Sequence, residues 1–306
     1  MIPLHLVTGF LGSGKTSFLL DVAARFKDRK LVFLVNEFSR HTVDPEQLAF
    51  TGMPVVAVRG GSIFCRCLVT EFLGLLGELP GRFSFSSGGP EAVVIEASGI
   101  ADPRSVESML RESRLDRVYR LASVTGLADP GSFVKLVAVL PNIRAQVLAS
   151  DVVFVNKTDL YGESEVRATE EAIRRVKPNL RIVRTQHGRT DWSPFAGEHA
   201  GGLAGNYGAC RDPHFACAAF RLPEMTDLDQ LRAAVAQWED RVYRIKGRAR
   251  IHEKVHTVDY SPGGWNIREA AGESGDHRLV FIFHPSLEGE LSRLGQRLRW
   301  EAEEKI

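Results

Sequence analysis

Residues 9–16 read Gly9-Phe10-Leu11-Gly12-Ser13-Gly14-Lys15-Thr16, between an apolar run at residues 4–7 and the helical pattern Phe18, Leu19, Val22. A G-x-x-x-x-G-K-T stretch in that position is a phosphate-binding loop, which has to leave a strand and open a helix, so it commits this part of the chain to an α/β fold. Its glycines let consecutive backbone N–H groups turn inward on a phosphate. The Lys15 ammonium then reaches the β and γ phosphates, and the Thr16 hydroxyl is placed to ligate Mg²⁺ at the positive end of a helix. Gly9, Gly12, Ser13, Gly14, Lys15, Thr16 and Ser17 are the expected phosphate contacts.

Short apolar runs rich in β-branched residues recur at residues 31–35, 55–58, 92–95, 152–155 and 180–183. Between them lie helical patterns at 16–26, 70–76, 143–149 and 163–176, the last ending at Lys177-Pro178 as a helix stop should. Strands alternating with helices predict a doubly wound, mostly parallel sheet whose ligands collect at the carboxyl ends of its strands. From Gly188 to Pro213 the pattern dissolves into Gly, Ala, His, Asn and Pro, which reads as a flexible linker. Beyond it a smaller α+β segment is expected, with strands at 216–221, 241–245, 255–260 and 279–283, a helix at 228–238 and a closing helix from 287 to about 303. The expected organisation is therefore a phosphate-loop domain at 1–187, a linker at 188–213 and a C-terminal α+β domain at 214–306.

At 306 residues, with 44% hydrophobic and 25% charged, the composition is that of a globular protein, more readily two domains than one. Lys+Arg 39 against Asp+Glu 38 leaves a net charge of +1, so no strong field points to nucleic acid or an anionic membrane as partner. Neither a membrane-length apolar run nor the layout of a secretion signal is present, and a cytoplasmic location is expected. In a reducing compartment the four cysteines, Cys65, Cys67, Cys210 and Cys217, read as free thiols or metal ligands.

The strand at 152–155 runs into Asn156-Lys157-Thr158-Asp159, an N-K-x-D tetrapeptide. Asp159 would accept both hydrogens from guanine N1 and N2, a donor pair adenine lacks; the Lys157 stem would cover the ring, and Asn156 would fix the loop. The strand at 92–95 ends in Glu96-Ala97-Ser98-Gly99, where phosphate-loop enzymes place the acid of the Mg²⁺ shell. Glu96 can accept from Mg²⁺-bound water, and the Gly99 N–H, with Ser98 beside it, is placed to meet a γ-phosphate. The same stretch also reads as a helix entry, since Asp102-Pro103 has the form of a helix start. The strand at 31–35 delivers Asn36-Glu37-Phe38, then Arg40, His41 and Asp44, a candidate switch segment beside the phosphate loop.

Together these motifs resemble the CobW/HypB/UreG family of metallochaperone GTPases, in its CobW-like branch. The resemblance rests on T-G-F-L-G-S-G-K-T at Thr8 to Thr16, V-N-E-F at Val35 to Phe38, I-E-A-S-G-I-A-D-P at Ile95 to Pro103 and N-K-T-D-L at Asn156 to Leu160. It continues at Arg244-Ile245-Lys246-Gly247 and Leu279-Val280-Phe281-Ile282, so it spans almost the whole chain. It implies a GTP-dependent carrier with GTP and Mg²⁺ as cofactors. The carrier would move Zn²⁺ or Co²⁺ to a client metalloprotein or cofactor-insertion enzyme, with GTP ordering the metal site and hydrolysis releasing the metal. Lys15, Thr16, Glu37 and Glu96 would then be the catalytic set, with Asp44 beside Thr16 and Glu96 in the Mg²⁺ shell. Ile100 stands where Ras-like enzymes place a water-orienting Gln, so slow turnover is expected, accelerated by metal, a client or homodimerisation.

The family holds its metal with a Gly, Cys, aliphatic, Cys, Cys motif after the second core strand, and here that stretch reads Gly61-Ser62-Ile63-Phe64-Cys65-Arg66-Cys67. In register, the first two cysteines are Ser62 and Phe64, the third is Cys65, and Cys67 is additional. A Cys-x-Cys pair can bind a soft ion through thiolates, with Glu37, His41, His187, water or a client completing the shell. Cys210, His214 and Cys217 form a second candidate ligand set. The alternative is that Cys65 and Cys67 only pack, in a GTP-switched partner-binding protein that has lost or altered its metal site. An ATP-using phosphate-loop enzyme is a third reading, against which Asn156 to Asp159 argue.

Overall fold

The computed structural model describes residues 1–37, 52–59, 61–83, 88–208, 213–238, 241–270 and 277–305. These fall into two compact units, the first holding the described residues up to 208 and the second those from 213.

The first unit is a parallel sheet of β1 (Ile2–Gly9), β2 (Leu31–Glu37), β3 (Val55–Arg59), β4 (Ala92–Glu96), β5 (Tyr119–Ala128), β6 (Val152–Val155) and β7 (Arg181–Arg184), in the order β3-β2-β4-β1-β5-β6-β7. All six pairings are parallel, and β1 lies between β4 and β5, with Leu4 beside Val93 and Ile2 beside Tyr119. Parallel strands covered on both faces bury nearly every residue, which is why β4 is buried throughout. The helices are α1 (Lys15–Arg25), α2 (Val69–Arg82), α3 (Val106–Glu112), α4 (Phe133–Val139), α5 (Pro141–Ala149) and α6 (Glu163–Val176). Alternation along each strand divides the apolar side chains between two cores. Val7, Phe33, Val35 and Val94 pack against Phe18, Leu19 and Val22 of α1 on one face. Leu4, Leu6, Leu34 and Ile95 pack against Phe72, Leu76 and Leu79 of α2 and Met109 of α3 on the other. Among the described residues, no helix is long and apolar enough to cross a membrane.

Two elements of this unit differ from the sequence expectation. β5 falls in YRLASVTGLA, whose Ser123, Thr125 and Gly126 break the apolar run that marks the other strands. Ser123 is nonetheless buried, where it meets His5 of β1 at 2.8 Å. Residues 188–208, expected as a linker, pack along the first unit through a few anchors. His5 Nε2 meets the Pro194 carbonyl at 2.8 Å, Trp192 joins the core over Phe18, and Gly208 N donates to Phe64 O. His199, its side chain 4% exposed, lies between Asp151 at 2.9 Å and Glu107 at 3.0 Å. Widely spaced anchors among small residues carry no periodicity, so composition alone does not reveal them.

The second unit is an antiparallel sheet in the order β11-β10-β9-β12-β8-β13, formed by β8 (Ala216–Arg221), β9 (Val242–Ile251), β10 (Lys254–Ser261), β11 (Gly264–Glu269), β12 (Arg278–Phe283) and β13 (Glu301–Lys305). Helices α7 (Leu228–Gln237) and α8 (Glu288–Arg297) supply Leu231, Val235, Leu291 and Leu294 to a core with Phe220, Ile245 and Phe281. The closing helix stops at Arg297, short of the expected residue 303. Arg299 takes a left-handed φ of 57°, its N–H donates to Gln296 O and that of Trp300 to Gly295 O, which is a Schellman cap. The Trp300 ring then packs 5.7 Å from Phe220 and 5.8 Å from Phe281, turning the chain into β13. This is the α/β doubly wound architecture with a smaller α+β unit.

Candidate functional site

The phosphate loop joins the carboxyl end of β1 to α1, at the position where β4 and β5 leave opposite sides of the sheet's central strand. Such a switch point opens a crevice above the sheet. Gly14 caps α1 in a left-handed conformation, φ 101°, and a Cβ there would run into the Asn156 side chain. That contact brings two distant motifs together: Asn156, 1% exposed, donates from Nδ2 to Ser13 O at 2.9 Å and accepts from Gly188 N at 3.0 Å. The Lys15 ammonium is buried in the loop, donating to Gly9 O at 2.8 Å and Phe10 O at 3.3 Å.

The other expected loop approaches from β4. The Thr16 hydroxyl donates to Glu96 Oε1 at 3.3 Å, and Glu96 is 5% exposed. A Cβ on Gly99 would lie 2.6 Å from Leu11 N, so the backbone beyond β4 stands against the phosphate loop at a distance only glycine allows. Two hard oxygen donors at the head of α1 suit Mg²⁺, which prefers one or two protein oxygens with phosphate and water completing its shell. Asp44, the third expected member, lies outside the described residues, as does His41; β2 ends in Glu37, whose side chain is likewise outside the description.

Lys157 has a left-handed φ of 62°, and its ammonium is held by Asp129 Oδ2 at 2.6 Å. Asp129, its side chain 3% exposed, is fixed in turn by Gly131 N at 3.0 Å. The Tyr161 phenol also bonds Asp129, and its ionisation is pushed well up, first by burial and then by that carboxylate. Asp159 is exposed, with His187 Nε2 at 3.6 Å. Thr158 bonds the Thr185 carbonyl through both N–H and hydroxyl, so the loop leaving β7 closes this side of the site.

Sequence reasoning missed Asp129 and Tyr161, and it read His187 only as a candidate metal ligand rather than as part of a 185–188 loop that packs against residues 156–159. Asp129-Pro130-Gly131 follows β5, and recognising that strand would have exposed the turn. The helix expected at 143–149 is present as α5, but the hold it exerts on the segment after Glu96 was missed: Gln146 donates to Gly99 O and Ala101 O at 3.0 and 3.1 Å, and Asn142 to Ile100 O at 2.6 Å. Asp102 accepts from Arg104 N at 3.1 Å and opens the short 3₁₀ turn Pro103–Ser105, so the helix-entry reading of this stretch also holds.

Cys65 is buried and Cys67 exposed, with their sulfurs 3.0 Å apart in the turn before α2. A tetrahedral ion with sulfurs at about 2.3 Å spaces them about 3.8 Å apart, so chelation requires this turn to open by somewhat under 1 Å. Among the described residues, no group of three or more His, Cys, Asp or Glu is placed to hold a metal. Cys217 is buried in β8, His214 lies in the turn before it, and Cys210 lies outside the described residues.

Comparison with known proteins agrees with this layout. The model of the CobW/HypB/UreG nucleotide-binding domain matches residues 3–184, and that of the cobalamin synthesis protein cobW C-terminal domain matches residues 215–298. The zinc chaperone YeiR of Escherichia coli (strain K12) is 28% identical over 193 residues, 62% of this chain and 57% of that protein. The chain thus spans less than two thirds of that relative's length. The zinc chaperone CobW of a Sinorhizobium species is 24% identical over 344 residues, covering 92% of each chain. The solved Zn(II)-bound YjiA GTPase from E. coli covers 97% of this chain and 98% of its own, at 19% identity and a TM-score of 0.48. With the first model on the parallel-sheet unit, across more than half of the chain, and the second on the antiparallel unit, the chain belongs to the CobW/HypB/UreG family.

Proposed function

We propose that this protein binds and hydrolyses GTP. Its nucleotide state would control the holding and release of a divalent metal, Zn²⁺ or Co²⁺, delivered to a client metalloprotein or cofactor-insertion enzyme. The observation that carries this reading is the convergence of three motifs on one loop: Lys15 and Thr16 within it, Glu96 bonded to Thr16, and Asn156 bonded to Ser13. Relatives named zinc chaperones support the choice of metal class.

Phosphoryl transfer to water asks mainly for position and charge. Gly9, Gly12, Ser13 and Gly14 supply N–H groups to the phosphates, Lys15 neutralises the β and γ oxygens, and Ser17 lies on the first turn of α1. Thr16 and Glu96, with Asp44, would hold a Mg²⁺ that offsets phosphate charge. Ser98 and Gly99 face the γ-phosphate, Glu37 positions water, and Asp159 and Lys157 read guanine while Asp129 holds the lysine straight. Single-turnover hydrolysis of GTP alone should run on the order of 10⁻² s⁻¹ or slower, since Ile100 offers no water-orienting group. Homodimerisation or a client would raise it.

The deciding experiment titrates Zn²⁺ or Co²⁺ into the protein with Mg²⁺ and either GDP or a non-hydrolysable GTP analogue. Tighter metal binding with the analogue, lost in Cys65→Ser/Cys67→Ser, is the expected result; equal affinity in both states sinks the carrier reading. The two-sulfur turn, with no third ligand among the described residues, favours a second reading: a GTP-switched partner-binding protein without metal. Tighter binding of ATP than of GTP would overturn both.

A further inference from the structure

We propose that Asn36 is the positioning residue that transmits nucleotide state to the cysteine turn. The inference rests on the reading of Ser98 and Gly99 as the γ-phosphate contact. Asn36 is 2% exposed, one residue from the end of β2. Its amide nitrogen donates to Val58 O at 3.3 Å and Gly61 O at 2.8 Å. Its oxygen accepts from Ile63 N at 3.0 Å and Ser98 N at 3.2 Å. A carboxamide has two N–H groups and two lone pairs, so all its capacity is engaged, and three of the four bonds go to the strand and turn that carry the cysteines.

The fourth bond goes to Ser98, two residues beyond Glu96 and directly before Gly99. The far side of that segment is held by Gln146 and Asn142, so a shift of the Ser98 N–H is passed to Asn36 Oδ1. Ile63, which shares that oxygen, is fully buried, as is Phe64 at 1%, and Cys65 N is bonded to Ser62 O at 3.0 Å. The turn from Gly61 to Cys65 is therefore packed tightly enough to move as one body. Two N–H groups on one oxygen compete for direction: a Ser98 that moves toward phosphate frees Asn36 to rotate toward Ile63, or draws the turn after it. Either displacement alters the spacing of Cys65 and Cys67, which must widen before the pair can hold a metal.

The test reads the turn without needing metal. Cys67 is exposed, so its alkylation rate by iodoacetamide reports the turn directly in the full chain, with Mg²⁺ and either GDP or a GTP analogue. In the wild type the two rates should differ about five-fold or more, the usual size of an allosteric coupling. In Asn36→Ala they should agree within about two-fold, with analogue binding measured in parallel to show that the site is loaded. Equal rates in the wild type, or an undiminished difference in the variant, overturn the proposal. Should Asn36→Ala not fold, hydrogen exchange on the wild type decides: the analogue should change protection of the Ser98 and Ile63 amides together, and a change at Ser98 alone overturns it. A nucleotide-dependent rate that Asn36→Ala removes, in a protein that binds no metal, would uphold Asn36 while sinking the carrier function, so the two failures are separable.

Discussion

His5 and His199 are both buried, yet their surroundings favour opposite charge states. His5 Nε2 faces a carbonyl, which can only accept, so it carries the proton and Nδ1 accepts from Ser123. Burial, with Arg120 adding repulsion, lowers its pKa to about 4. Burial also opposes a charged His199, but Asp151 and Glu107 outweigh it and hold that ring above its ordinary value of 6.5. The stabilisation from neutral His5 is present above pH 6.5 and lost as pH falls toward 4, at most about 3 kcal/mol. That from charged His199 is present below pH 6.5 and lost as pH rises through its raised value. Urea unfolding should show His199→Gln costing more at pH 6 than at pH 9; a penalty independent of pH would refute the charged assignment. At the same scale, Gly14→Ala forces a left-handed alanine into the Asn156 amide and should weaken GTP-analogue binding at least tenfold by calorimetry. The site was legible where one residue type does one job, as at Lys15, Thr16 and Asn156. Asp129 and Gln146 were not, because their roles arise from partners 28 and 45–47 positions away in sequence.

At the level of elements, a strand is read from a run of branched apolar residues, and β2, β4 and β6 have one. β5 does not, because its inner positions lie against crowded neighbours: a Cβ on Gly126 would meet Ser150 Oγ at 2.6 Å. Small residues there are a packing requirement that only the folded sheet discloses. The end of α8 fails for a different reason. Arg299 occupies the left-handed position that glycine usually takes, so the stop signal is absent and the run of helix-forming residues reads on to Glu303. Arg299→Gly should remove that backbone strain and raise stability by about 0.5–1 kcal/mol in thermal or urea unfolding. Unchanged or lower stability would mean that the arginine side chain offsets the strain.

On the scale of the whole molecule, each unit has its own apolar core, two layers about the parallel sheet and one beneath the antiparallel sheet. Calorimetry should resolve two unfolding transitions. A GTP analogue at about 100 times its Kd adds about 2.7 kcal/mol to the first unit, raising its midpoint by about 5–10 °C while leaving the other in place. A single transition that moves as a whole would show that the units unfold together. The division into an α/β and an α+β unit was readable from the spacing of apolar runs, whereas the course of residues 188–208 was not.

The place of β1 has a consequence for synthesis. Made before both of its neighbours, it can pair only once β4 and β5 follow, and Ser13 has no Asn156 to bind until more than 140 further residues have been made. At roughly 5–20 residues per second that interval is about 7–30 s. Until β4 and then β5 are made, the apolar β1 has open edges on the ribosome, and nucleotide cannot shelter it, because the Asn156 loop that completes the pocket is made after both.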